Sequence, residues 1–143
     1  NNTIANNFAG TAGGGISLQD AALVNIHHNT LFRNDSTATT AAVWDTVARM
    51  STAQPAGIMS YPHSALLAAE TGQTFSDPDL RNSIVMENRS FYVDASSGDF
   101  LLVPDLSVTG TSEVFNDLGT LTCDEGCLLT DGADPLSLFV APA

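Results

Sequence analysis

A six-residue motif occurs twice near the start of the chain, and it narrows the fold more than any other feature. Asn2-Thr3-Ile4-Ala5-Asn6-Asn7 returns as Asn29-Thr30-Leu31-Phe32-Arg33-Asn34, with Asn, Thr, an aliphatic residue and the closing Asn all displaced by 27 (29 − 2 and 34 − 7). Repetition at a fixed period is the mark of a solenoid, in which each repeat is one coil resting on the next. A third copy, Ile84-Val85-Met86-Glu87-Asn88, aligns with Thr30 to Asn34 at a displacement of 54 (88 − 34). An intermediate marker argues against two regular coils in that interval. Gly15-Ile16 is echoed by Gly57-Ile58, which implies 15 extra residues before the echo and 12 after it. The expectation is one coil with two loop insertions, Ser36 to about Gln54 and Pro62 to about Asp79.

Local signals agree with strands and corners. Ile16-Ser17-Leu18-Gln19 and Val24-Asn25-Ile26-His27 alternate apolar and polar residues, a period-2 strand pattern. Gly13-Gly14-Gly15 suits a bend. In the second insertion, Ser64 before Ala65-Leu66-Leu67-Ala68-Ala69-Glu70 and Gly72 after it read as a capped short helix. Ser90 to Asp94 and Asp99 to Val103 flank Ala95-Ser96-Ser97-Gly98, a hairpin. Residues 105–133 are acidic, turn-rich and without a period.

With the motif copies and the Gly-Ile echo in hand, the chain resembles a right-handed parallel β-helix of the pectate-lyase-like superfamily. Within it, the likeness is to short β-helix repeats of large secreted bacterial surface proteins. The tail Asn82-Ser83-Ile84-Val85 to Asn88-Arg89-Ser90-Phe91-Tyr92, followed by acidic turns, is similar to their C-terminal coils. The expected fold is therefore all-β: β-helix coils over 1–92, then a hairpin return, an acidic loop region and the start of a further strand over 93–143. Parallel strands stack about 4.8 Å apart, so like residues fall above like. Ile4, Leu31 and Val85 then form an aliphatic column. Asn7, Asn34 and Asn88 form an amide ladder at a corner whose left-handed backbone asparagine tolerates. The chain starts within one repeat and closes on Asp134-Pro135-Leu136-Ser137-Leu138-Phe139-Val140, which reads as another strand, so a piece of a longer polypeptide is expected.

Charge limits the partners. Sixteen acidic residues face four arginines and no lysine, for a net charge of −12 over 143 residues. Such a surface repels nucleic acid and anionic membranes and suits an exported, extracellular or cell-surface protein. No apolar run approaches the roughly 20 residues that cross a bilayer. Cys123 and Cys127, separated by Asp124-Glu125-Gly126, match neither a redox nor a zinc pattern, and a small disulfide loop is expected.

The residues for catalysis are scarce. The resemblance would bring lyases, which need a basic residue beside calcium carboxylates, and hydrolases with clustered aspartates, Gly-His-Gly and Arg-x-Lys. The chain lacks lysine and those elements, so no catalytic residue is assigned and activity contained wholly in it is not expected. His27 and His28 are neighbours and on a strand would point to opposite faces. No metal ligand set or cofactor is expected, although Asp77, Asp79, Asp124, Glu125, Asp131 and Asp134 are loop carboxylates of the type that hold calcium. Gly13-Gly14-Gly15-Ile16 departs from the Gly-Gly-x-Gly calcium repeat at its fourth position and reads as a corner. Binding is expected through the two insertions and the adjoining coil face, which carry Trp44, Arg49, Tyr61 and His63, residue types that anchor proteins and stack on sugars. Two functions fit: a non-catalytic scaffold, adhesion or assembly module that meets other parts of a longer polypeptide, neighbouring subunits or glycan, or a fragment of a polysaccharide-active enzyme whose catalytic coils lie elsewhere.

Overall fold

Short strands, most of them two or three residues long, are joined largely by corners, so outside the β7–β8 and β12–β13 hairpins each finds its partner far along the chain. The computed structural model describes residues 1–103 and 128–129. The described chain is mostly β with one short helix, an all-β architecture. The first pass contains β1 (Thr3–Ala5), β2 (Phe8–Ala9), β3 (Ile16–Leu18) and β4 (Asn25–His27). The second contains β5 (Thr30–Phe32), β6 (Asp35–Ser36), β7 (Trp44–Asp45), β8 (Met50–Ser51), β9 (Ile58–Ser60), α1 (Ala65–Thr71) and β10 (Asp79–Arg81). A third pass has β11 (Ile84–Met86) and the longer β12 (Arg89–Asp94), which turns back into β13 (Asp99–Val103); β14 (Leu128–Leu129) follows.

Pairing between passes is parallel and its offset changes in steps. β1 lies on β5 with Ile4 opposite Leu31, and β2 on β6 with Phe8 opposite Asp35, both at an offset of 27 (31 − 4 and 35 − 8). β3 lies on β9 with Ile16 opposite Ile58, an offset of 42 (58 − 16). β4 pairs with β10, Ile26 opposite Leu80, and the offset reaches 54 (80 − 26). It then stays at 54 where β5 meets β11, Leu31 opposite Val85, and where β6 meets β12, Asp35 opposite Arg89. Beyond the third pass, β14 adds to β11 in parallel while β13 covers β12 in antiparallel.

The interior is part apolar and part amide and hydroxyl. Leu31, Ile58, Leu80 and Val85 are wholly buried, with Leu18 and Ile26 beside them and Ile4 and Ile16 packed against that cluster. Next to the Ile4–Leu31–Val85 column stands Asn7–Asn34–Asn88. Asn7 donates its backbone N–H and Nδ2–H to Asn34 Oδ1 at 3.2 and 2.9 Å. Asn34 repeats both bonds to Asn88 Oδ1 at 2.9 and 2.8 Å. Asn34 Nδ2 also donates to the Ile4 carbonyl, and Asn88 Nδ2 to that of Leu31. A second ladder runs at the start of the motif. Asn2 donates twice to Asn29 Oδ1, and Asn29 N–H donates to Ser83 Oγ, a shorter polar group at the same position.

Four details depart from the sequence reading. The left-handed residue at each corner is the one before the ladder asparagine, namely Asn6 (φ 57°), Arg33 (φ 53°) and Glu87 (φ 51°). The ladder asparagine has its amide engaged between passes, so its neighbour takes the bend. A short strand also follows the corner where none was expected: Ser36 pairs with Ala9, and Thr37, Thr39 and Thr40 donate their N–H groups to Ala9 and Gly10 carbonyls. The first insertion therefore begins after Thr40, not at Ser36. The second ends before Asp79, which lies in β10, and Pro62 bridges Phe75 to close it. Finally, His28 is not a strand residue but a left-handed corner (φ 56°), with its ring edge-on to His27. Cys123 and Cys127, and most of the segment expected to form acidic loops, lie outside the described residues.

At the Gly13–Gly15 corner, close approach explains the glycine. A Cβ on Gly14 would sit 2.3 Å from the Asp35 carbonyl oxygen. Arg89 meets the buried Asp35 carboxylate through Nε and Nη2 at 2.8 and 2.6 Å, tying β12 to β6 by side chains as well as backbone.

The two ladders give a graded prediction. Asn34 is fully buried and takes part in four ladder bonds, so Asn34→Ala should cost about 3–5 kcal/mol. Asn29 makes similar bonds at a half-exposed position where water can substitute, so Asn29→Ala should cost about 1 kcal/mol. Urea unfolding of the two variants beside the parent chain measures both.

Candidate functional site

The insertions bring the candidate binding residues to two anchor points on the second pass. In the first insertion β7 and β8 pair as a hairpin, Trp44 opposite Ser51. This hairpin is held against β12: Met50 pairs with Asp94, Val93 N–H donates to Ser51 Oγ, and Ala95 N–H donates to the Arg49 carbonyl. β12 therefore runs over β6 with its first residues and beside β8 with its last. Trp44 is half-buried, Arg49 is exposed in a left-handed turn, and Val47 at the tip is 92% exposed. The tip is shaped by Asp45, whose Oδ1 accepts from the Val47 and Ala48 N–H groups at 2.8 and 2.9 Å. Those two bonds hold the Asp45 carboxyl below its ordinary value, the Ala48 bond most.

The second anchor lies where the chain leaves β9. Tyr61 donates its backbone N–H to the Leu18 carbonyl and is half-buried; burial pushes its phenol up, partly offset by a hydrogen bond with Ser17. His63 is held from both ring nitrogens, Nδ1 at 3.2 Å from the Gln73 carbonyl and Nε2 at 3.2 Å from Ser76 Oγ. A carbonyl only accepts, so Nδ1 carries a proton, and in the neutral ring Nε2 is then the acceptor of the serine hydroxyl. This has the form of a base beside a nucleophile, but Ser76 is 0% exposed and also accepts from Ala21 N–H. No substrate reaches that oxygen, so the pair is a staple joining the insertion to the first pass. The helix is fixed in the same way: Ser64 caps it through Leu67 N–H, Gly72 ends it left-handed, and Asp20 Oδ1 accepts from Ser64 N–H.

Neither Trp44 nor Tyr61 is fully covered, so each retains a surface for contact. Exposed Phe8 (75%) and Leu66 (72%) are further apolar surfaces that the sequence reading did not single out. Phe8 was legible as part of the motif's flank, but without the short strand β2 its direction was not. Among the candidate carboxylates, Asp79 is engaged by Arg81 at 2.7 Å and has His27 Nε2 at 3.2 Å, outside hydrogen-bond geometry. Among the described residues no group of three or more His, Cys, Asp and Glu could hold a metal ion. Asp124, Glu125, Asp131 and Asp134 lie outside the described residues. No helix among the described residues is long and apolar enough to cross a membrane. Comparison with protein-family models, with curated proteins and with solved structures returns no match.

The Asp45 turn yields a pH prediction. A carboxyl lowered in the folded state stabilises fully above its ordinary value of 3.8 and loses that contribution as pH falls through the depressed value. Amide exchange at Val47 and Ala48 should therefore accelerate in that acid window. Asp45→Asn, which keeps an acceptor but cannot titrate, should remove the acceleration.

Proposed function

We propose that this chain is a stack of coils from a right-handed parallel β-helix that serves as a non-catalytic module of an exported surface or extracellular filament protein. The supporting observation is the stepwise offset: 27 at β1–β5, 42 at β3–β9 and 54 from β4–β10 onward, with asparagine at all three positions of the Asn7–Asn34–Asn88 column. A chain that absorbs insertions while restoring its register conserves the scaffold and varies the surface. The net charge of −12 favours a hydrated exterior and disfavours nucleic acid and membrane partners. The partners are other parts of a longer polypeptide, neighbouring subunits or glycan, met through the faces bearing Trp44, Arg49, Tyr61 and His63. A Cys123–Cys127 disulfide belongs to the same reading, since an exported protein meets an oxidising compartment.

A polysaccharide-active fragment is the second reading, favoured by the partly exposed Trp44 and Tyr61, which suit sugar stacking. One set of measurements separates the two. Intact source cells treated with protease should lose the protein, and the chain should release no unsaturated or reducing sugar from acidic and neutral polysaccharides. If the chain does bind immobilised polysaccharide, Trp44→Ala should weaken that binding about tenfold, the loss expected for a stacking anchor. Retention of the protein in shaved cells, or sugar release, overturns the scaffold reading. For the disulfide, the unreduced mass should be lower by two protons than the reduced mass; free alkylation of both thiols in native exported protein removes that part.

A further inference from the structure

The first pass ends in an open rim. Among the described residues, β1, β2, β3 and β4 each have a strand on one side only. Exposed strand edges are ordinarily blunted by lysine, proline, inward charge or a bulge. Thr3–Ala5, Phe8–Ala9, Ile16–Leu18 and Asn25–His27 contain no lysine, arginine, proline, aspartate or glutamate. Ile4 and Ile16 are only partly buried, whereas their partners one pass on, Leu31 and Ile58, are wholly buried. Leu18 and Ile26 on the same rim are buried, so the uncovered part of it lies at Ile4 and Ile16 among the described residues.

The ladders give this rim a direction. In the three Asn–Asn rungs, Asn2–Asn29, Asn7–Asn34 and Asn34–Asn88, the backbone N–H and Nδ2 of the earlier asparagine donate to Oδ1 of the later one; at Asn29–Ser83 only the backbone N–H does so, and Asn29 Nδ2 donates to the His27 carbonyl. Asn2 Oδ1 and Asn7 Oδ1 therefore face out of the rim, and among the described residues neither accepts a hydrogen bond. Two rims brought face to face around a two-fold axis would set acceptor against acceptor. The opposite end of a second copy is no better match: above β12 it presents β13, which runs antiparallel, where the rim's β2 needs a parallel strand.

We infer that the rim of β1 to β4 docks one further pass of the same kind, parallel in direction and carrying asparagines at both ladder positions, whose N–H and Nδ2–H groups donate to Asn2 Oδ1 and Asn7 Oδ1. This rests on the coil reading above and adds to it the chemistry and polarity of the partner. The rim rejects a two-fold partner for the same reason that it accepts a parallel one.

The test places a second copy of residues 1–27 directly before Asn1 of the full chain, since the period of that pass keeps the register. The melting temperature should rise, and the backbone amides of the two added ladder asparagines should exchange at least about tenfold more slowly than in an unstructured peptide. A matching version with both added ladder asparagines changed to aspartate loses the Nδ2–H donors and sets carboxylates against the two oxygens. It should melt with the parent chain and exchange freely. The inference fails if the added pass exchanges freely in its asparagine form, if the aspartate form is equally protected, or if the parent chain forms a dimer that an Asn7→Cys variant cross-links rim to rim. Failure of the coil reading is separate: it would appear as an Asn34→Ala variant of unchanged stability.

Discussion

The described structure depends on amides stacked along one line. Short strands cannot hold one another in register by backbone bonds alone, because slipping by one residue turns every side chain to the other face. The Asn7–Asn34–Asn88 ladder removes that freedom. A buried amide whose donors and acceptor all lie at one height leaves unpaired groups if the passes shift, and each such group costs about 1–3 kcal/mol. The aliphatic column beside it supplies burial without direction. Leu31 and Val85 would tolerate a small slip; Asn34 would not.

The same rung shows how burial is managed around charge. Asp35 follows Asn34 directly and is almost wholly covered, with Arg89 of the next pass across its carboxylate. Arg89 remains half exposed and its guanidinium also lies over the Phe91 ring, which in turn stacks on Phe100 at 4.7 Å. The hydrogen bond to Asp35 raises the Arg89 pKa. Polar ladder, ion pair and aromatic stack thus succeed one another from the second pass to the returning strand β13.

Much of this was legible in the sequence because stacking turns periodicity into contact. The offset of 27 between Asn7 and Asn34 is the sequence separation of their hydrogen bond, and the Gly-Ile echo located the pairing of Ile16 with Ile58. The capped helix and the Ser90 to Val103 hairpin carried local turn chemistry that needs no tertiary information. What could not be read were short elements created by neighbours. β2 and β6 are two residues each, below any period, and exist because Phe8 and Asp35 happen to lie opposite one another. Left-handed corners at Arg33 and Glu87 were hidden because neither residue favours that conformation. There the bend is imposed by the asparagine that follows, and the two charged side chains pair across the passes at 3.0 Å. Chemistry at His63 and Ser76 was illegible because its meaning turns on the complete burial of the serine.

The stepwise offset has a consequence for how such a chain can change length. Each insertion leaves and rejoins at neighbouring corners and closes itself, the first by β7 with β8 and the second by Pro62 with Phe75. The ends that must be brought together are then fixed by the passes, whatever runs between them. Closing a longer loop adds only about 0.6 kcal/mol per doubling of its length. These two corners are therefore places where residues can be gained or lost in large units at small thermodynamic cost, while a single residue added within Asn29 to Asn34 would break the spacing between those two rungs, with no loop between them to absorb it.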